Sequence, residues 1–229
     1  MVLGLAAYES SSEGSDADCA DYYGDTGGGG GSGSDAGHVR GGWAGHVCLP
    51  VSGRSGEQLR ALGRACAAAL AGARGAALAE PHISLTRAFY VQEHQIAGFV
   101  RALEAEVAGI GEFAVAFGGL SAYRSEVRGG RAFVAADVAQ GAAAVDRVRA
   151  AVDRVMARFG QRPFFARARF HASLARADLD GPAARRAGDA LGAQLGEEIL
   201  QLAAARIDAV QCAFGDRRFV LALGQAPRR

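Results

Sequence analysis

The chain has 229 residues, of which 50% are hydrophobic, and its formal net charge is +1 at pH 7. This apolar fraction is enough to bury a core, and the length predicts one domain or two closely joined lobes. No apolar run is long enough to span a bilayer and the start of the chain has no basic leader, so we expect neither membrane insertion nor secretion.

The first segment, residues 1–37, differs in composition from the rest of the chain. It is rich in Gly and Ser, and it carries seven acidic side chains and no basic one. Such a segment buries too little apolar surface to fold, so we predict a disordered tail. The remaining residues, 38–229, hold 25 basic and 17 acidic side chains, a formal charge of +8. A basic body is compatible either with a solvated arginine surface or with attraction for a polyanion.

Beyond the tail, the hydrophobic pattern predicts strands and helices in alternation. Period-two stretches and turn signals predict strands at 43–51, 82–90, 113–123, 131–138, 165–175, 206–214 and 218–223. Helical spacing of apolar residues predicts helices at 56–78, 95–107, 145–159 and 191–202. This order predicts an α+β fold in which helices cover a largely antiparallel sheet.

A seven-residue motif occurs twice in the body. The first copy, at 82–88, reads HISLTRA, and the second, at 171–177, reads HASLARA. Five of the seven positions agree, each copy begins on a predicted strand, and each strand has a helix before and after it. The repeat therefore predicts two structurally similar lobes, each presenting one copy of the motif.

The alternation of side chains along a strand gives the motif its chemical meaning. His82 and Ser84 share one face of the first motif strand, and His171 and Ser173 share one face of the second. If the lobes meet about a pseudo-twofold axis, two imidazoles and two hydroxyls line one cleft. One histidine can then deprotonate an attacking hydroxyl while the other protonates the leaving oxygen, and the serines can hydrogen-bond the phosphate oxygens.

A single H-x-S on a strand is a weak signal, since it usually marks a structural histidine, but two copies with matching flanks favour catalysis. The other histidines lack such a setting. We expect His46, in the first strand, to be buried and hydrogen-bonded, and we expect His94 and His38 to be exposed. The four cysteines are widely spaced and form no C-x-x-C pair, so we expect no metal site, no cofactor and reduced thiols.

The paired motifs resemble those of the 2H phosphoesterase superfamily, and more narrowly those of its U6 small nuclear RNA phosphodiesterase family. The segments GWAGHV at 42–47, VDRVM at 152–156 and 164–174 around the second motif support the narrower resemblance. It covers residues 38–225 and leaves the tail outside. It implies a fold of two pseudo-symmetric antiparallel sheets with outer helices and a central cleft, which makes residues 38–229 one two-lobed domain.

The resemblance also implies the site and the substrate. His82 and His171 are the implied catalytic residues, and Ser84 and Ser173 the implied phosphate-binding ones. Phe165 takes the place of a tyrosine that stacks on a nucleobase in the family. We therefore expect Phe165 to keep the stacking contact and to lack the contact of the tyrosine hydroxyl. The implied activity is metal-independent 3′-5′ trimming of the oligouridine end of U6 small nuclear RNA, in the nucleus, by a monomer. The product is a 2′,3′-cyclic phosphate or a 3′-phosphate.

Two alternatives stay open at this point. Another 2H enzyme would act on cyclic nucleotides or on tRNA-splicing products, and a non-catalytic RNA-binding module would keep the fold without the reaction. The sequence does not assign the base and the acid between His82 and His171.

Overall fold

A computed structural model of the protein describes residues 38–39, 42–124, 130–165 and 168–224. The predicted disordered tail, residues 1–37, lies outside the described residues. Within the described ranges the helices are α1 (Gly53–Ala69), α2 (Glu93–Val107), α3 (Ala142–Arg158) and α4 (Gly181–Leu200), with a short 3-10 helix at Ala71–Ala73. The strands there are β1 (His38–Val39), β2 (Gly42–Pro50), β3 (Ala76–Ala77), β4 (His82–Ser84), β5 (Phe89–Val91), β6 (Phe113–Arg124), β7 (Ala132–Gln140), β8 (His171–Ala177), β9 (Ala205–Ile207), β10 (Ala209–Phe214) and β11 (Arg217–Ala222).

The strands pair in the order β11-β10-β2-β4-β8-β7-β6-β9, with β1 and β5 beside β2 and β3 beside β8. All of the described pairings are antiparallel. The predicted α+β class with an antiparallel sheet is therefore confirmed. The two predicted sheets are joined into one, because the motif strands β4 and β8 are neighbours through the pair Ile83 and Ala172.

The core lies on the side of the motif strands that faces away from the histidines. Ile83, Leu85, Ala172 and Leu174 are all at most 1% exposed. Helix α1 lies against β8, and a Cβ added to its Gly63 would sit 2.7 Å from the carbonyl oxygen of Leu174. The missing side chain thus lets α1 support the second motif strand closely.

The remaining helices cover other parts of the sheet. Helix α3 packs against α2 and buries one apolar stripe, and α4 packs against β6. The buried stripe of α3 consists of Val145, Val148, Ala151, Val152, Val155 and Met156. None of the described helices is both long enough and apolar enough to cross a membrane.

Several predicted boundaries are wrong. Helix α4, predicted from residue 191, begins at Gly181, and the strand predicted over 206–214 is divided into β9 and β10. Three further differences have a local reason. The helix predicted to reach residue 78 ends at Ala69, where the chain turns through Arg74, whose backbone is left-handed (φ 54°). The strand predicted over 82–90 is split into β4 and β5, because between them the amide of Val47 donates to the Thr86 hydroxyl instead of to a backbone carbonyl. The strand predicted from residue 165 begins at His171, and the Phe164 amide donates to the Asp153 carboxylate on α3.

Candidate active site

The pairing of β4 with β8 brings the two motif copies together. Because Ile83 lies opposite Ala172 in an antiparallel pair, His82 lies opposite Ser173 and Ser84 lies opposite His171. Side chains alternate between faces, so these four point to one side of the sheet while Ile83 and Ala172 point into the core. His171, Ser84 and Ser173 are buried, and His82 is partly buried. The structure therefore places the four predicted motif residues on one face of the sheet.

The two motif histidines are held by equivalent hydrogen bonds. Nδ1 of His82 donates to the carbonyl of Glu80 at 2.8 Å, and Nδ1 of His171 donates to the carbonyl of Arg169 at 2.9 Å. A carbonyl oxygen can only accept, so the proton of each neutral ring is on Nδ1 and Nε2 is the basic nitrogen. The sequence did not predict this shared arrangement, which depends on the backbone two residues before each histidine.

Burial sets the charge state of both rings. It lowers the pKa of His171 to about 4, and this effect is opposed by the hydrogen bond to Arg169 and by the charge of Asp137. Burial also lowers the pKa of His82, against the hydrogen bond to the Glu80 carbonyl and the charge of that residue. The two rings therefore favour the neutral form near neutral pH. A bound phosphate would favour protonation, since an anion stabilises a nearby imidazolium.

A third histidine lies beside the first motif. His46 is on the face of β2 that carries Cys48, the partner of Ser84 across the strand pair. Its Nε2 lies 3.3 Å from Ser84 Oγ, and its ring centre is 5.2 Å from that of His82. Burial and the neighbouring His82 lower its pKa well below the ordinary value, so it is neutral. His46 is buried and hydrogen-bonded as expected, but the sequence did not identify Ser84 as its partner.

Polar residues on β6 and β7 surround the second motif and were missed by the sequence reasoning. Asp137 lies directly opposite His171 in the pairing of β7 with β8. The hydroxyls of Ser121 and Tyr123 both donate to its carboxylate. The available signal was one acidic residue inside the otherwise apolar stretch 132–138 of a predicted strand. An acid at such a position must meet polar partners when the strand is buried.

Phe165, the residue expected to stack on a nucleobase, packs against the first motif. The guanidinium carbon of Arg87 lies 3.6 Å from the centre of the Phe165 ring. Phe164 contacts the same ring edge to face, at 5.0 Å between centres. Arg87 belongs to the first motif, so this cation–π contact ties the segment before the second motif to the first. Arg87 thus covers one face of the Phe165 ring.

The region beside Asp137 also forms a cavity of about 360 Å³, lined in part by Arg169 and by the first turn of α3. Among the described residues, no group of three or more His, Cys, Asp or Glu side chains is placed to hold a metal ion. The imidazoles and hydroxyls on this face can transfer protons and donate hydrogen bonds.

Comparisons with known proteins place this geometry in a family. The sequence model of the HVSL family, described as an uncharacterised conserved protein, matches residues 30–220. Usb1 from Kluyveromyces marxianus aligns at 15% identity over 79% of this chain and 98% of its own, with a TM-score of 0.55. The structure of that protein with uridine monophosphate gives the same identity and coverage and a TM-score of 0.54. E. coli LigT in apo form aligns at 13% identity over 79% of this chain and 98% of its own, with a TM-score of 0.48. A search of curated proteins found no significant match.

The family match spans most of the chain, and the likeness to Usb1 extends over nearly all of that protein. The predicted family and the predicted fold are both confirmed. The chain belongs to the HVSL family, and it shares the fold of the Usb1 structures.

Proposed function

We propose that this protein is a metal-independent RNA phosphodiesterase that trims the 3′ oligouridine end of U6 small nuclear RNA in the nucleus. The observation that carries the proposal is the pairing of β4 with β8, which puts His82, Ser84, His171 and Ser173 on one face of the sheet. The Usb1 structure with uridine monophosphate has the same fold, and a uridine ligand there supports a uridine substrate here.

The proposed reaction begins with the 2′-hydroxyl of the penultimate nucleotide. Nε2 of one histidine removes its proton while the 2′-oxygen forms a bond to the adjacent phosphorus. The bond from phosphorus to the 5′-oxygen of the terminal nucleoside breaks, and the other histidine, in its imidazolium form, gives its Nε2 proton to that oxygen. The RNA keeps a 2′,3′-cyclic phosphate, and the nucleoside leaves with a 5′-hydroxyl. Attack by water on the phosphorus of the cyclic phosphate, with breakage of its bond to the 2′-oxygen and protonation of that oxygen, would then give the 3′-phosphate.

The hydroxyls and the fixed tautomers fit this reaction. Ser84 and Ser173 each lie opposite a motif histidine, so their hydroxyls are placed to donate to non-bridging oxygens, where negative charge builds up in the transition state. The carbonyls of Glu80 and Arg169 keep both Nε2 atoms as the reacting nitrogens. Arg169, whose side chain is largely exposed next to His171, supplies positive charge for the phosphate backbone.

The nucleobase contact is proposed to be made by Phe165. Arg87 covers one face of this ring, and the terminal base is proposed to stack on the opposite face. Stacking tolerates any base, so uridine preference must come from other contacts. A single-stranded end is required, because a paired base does not expose its face.

The test is to incubate the purified chain with oligouridine labelled at its 5′ end, in excess EDTA. We expect stepwise shortening from the 3′ end, with a cyclic phosphate or a 3′-phosphate on the product. Hydrolysis of nucleoside 2′,3′-cyclic phosphates without shortening of the RNA would instead identify a cyclic phosphodiesterase. Retention on a gel without any cleavage would identify an RNA-binding module and overturn the proposal.

A further inference from the structure

The ring of His171 is held by more than its hydrogen bond. Tyr123 stacks on it with 3.8 Å between ring centres and 20° between planes. The terminal torsion of a histidine has broad preferences, so one hydrogen bond at Nδ1 leaves the ring plane poorly fixed. A stacked aromatic ring restricts the remaining rotation and so keeps Nε2 aimed at one point.

Tyr123 is itself held by Asp137. The phenol donates to one carboxylate oxygen of Asp137 at 2.6 Å, and the Ser121 hydroxyl donates to the other. Asp137 lies on the strand next to β8, directly opposite His171. The contacts thus run from Asp137 on β7 to Tyr123 on β6, and from Tyr123 to His171 on β8.

The carboxylate also acts on His171 through its charge. It raises the pKa of His171 against the larger lowering effect of burial, while His82 and Arg169 act in the lowering direction. Nη2 of Arg169 lies 3.8 Å from the Asp137 carboxylate, and its largely exposed side chain leaves that charge only partly balanced. Asp137 therefore stabilises the imidazolium that His171 must form at one stage of a proton-transfer cycle.

The first motif has a different environment. The neighbours of the His82 ring are His46, in an edge contact, and the charged side chains of Glu80 and Arg218. The two histidines thus occupy equivalent places in the repeat but are held by different groups. The repeat thus covers the histidines themselves, whereas the residues that surround them differ between the two motifs.

We infer that Tyr123 and Asp137 are positioning residues for His171, with Tyr123 fixing the plane of the imidazole and Asp137 holding Tyr123 while supporting the charged state of the ring. The inference rests on the proposed function in that His171 transfers a proton during RNA cleavage. Neither residue needs to touch the substrate.

The experiment combines histidine NMR with kinetics. Side-chain nitrogen shifts at neutral pH report which nitrogen of each neutral ring carries the proton, and His171→Gln identifies the signals of that residue. We expect the Nδ1–H form for His171 in the wild-type protein and a mixture with the Nε2–H form in Tyr123→Leu, with His82 unchanged. Tyr123→Phe keeps the ring and should keep the Nδ1–H form.

In trimming assays, Tyr123→Leu and Asp137→Asn should each lower kcat by roughly 10- to 100-fold, with KM within about twofold, as misplacement of a reacting group does. Tyr123→Phe keeps the ring, so the decrease in kcat should be only about a tenth as large as in Tyr123→Leu. Asp178→Asn is the matched control, since its carboxylate pairs with Arg74 and Arg131 instead of with the site, and its kcat should equal that of the wild type.

Unchanged His171 signals and unchanged kcat in Tyr123→Leu would overturn the inference. A rise in KM at constant kcat would also overturn it, because it would show a substrate contact. If no variant, including the wild type, cleaves RNA, the proposed function fails, and the NMR comparison still decides whether Tyr123 and Asp137 hold the ring.

Discussion

Acidification should destabilise this protein through His171, a residue that is only 3% exposed. The pKa of the ring falls from 6.5 in an unfolded chain to about 4 in the folded protein. Between these two pH values the unfolded chain binds a proton that the folded protein does not. The contribution of His171 to stability is therefore fully present above pH 6.5 and is lost as the pH falls toward 4. Integrating this difference from pH 7 to pH 5 gives a loss of about 2 kcal/mol in the free energy of unfolding.

The assay is urea unfolding of the wild type and of His171→Gln at both pH values. Glutamine does not titrate, so the variant should lose about 2 kcal/mol less than the wild type between pH 7 and pH 5. His94→Gln is the control, because His94 is exposed at the start of α2, and it should lose as much as the wild type. Equal losses in His171→Gln and wild type would refute the claim that His171 is buried in its neutral form.

Other predictions concern the reaction. His82→Ala and His171→Ala should each lower the rate of RNA trimming by about 10²–10⁴-fold, with much weaker effects on RNA binding, while His94→Ala retains full activity. The double variant should lose far less than the product of the two effects; near-normal turnover in either single variant would contradict the assignment. The pH profile of kcat/KM should be bell-shaped with its maximum on the acid side of neutrality, because burial lowers the pKa of both rings. A maximum well above pH 7 would show that other groups titrate. His46→Phe should lower kcat by about tenfold through loss of its contact with Ser84. The same substitution should have much less effect in a Ser84→Ala background. Equal effects in both backgrounds would show that His46 does not act through Ser84.

The residues that the sequence identified are those that repeat. His82, Ser84, His171 and Ser173 follow from two copies of one motif and from the alternation of side chains along a strand, and the structure puts them on one face. The periodicity of apolar residues also identified all four described helices. Helix ends and strand breaks were less accurate, because they depend on single contacts such as that of the Val47 amide with Thr86.

The supporting residues were not predictable in the same way. Asp137, Tyr123 and His46 meet the motifs only through strand pairing between distant parts of the chain, and a single sequence does not reveal the register of those pairs. The stacking of Arg87 on Phe165 likewise depends on how the segment before β8 crosses the first motif.

The central claim is that a 2′-hydroxyl of the RNA, next to the scissile phosphate, is the nucleophile. The most direct measurement is the shortening of matched oligouridines that carry one 2′-deoxy sugar, either at the penultimate or at the terminal position. We predict that the penultimate substitution blocks removal of the last nucleotide, because that sugar supplies the nucleophile, and that the terminal substitution has a much smaller effect. Equal trimming of the two substrates would contradict the cyclising mechanism and would indicate attack by an activated water.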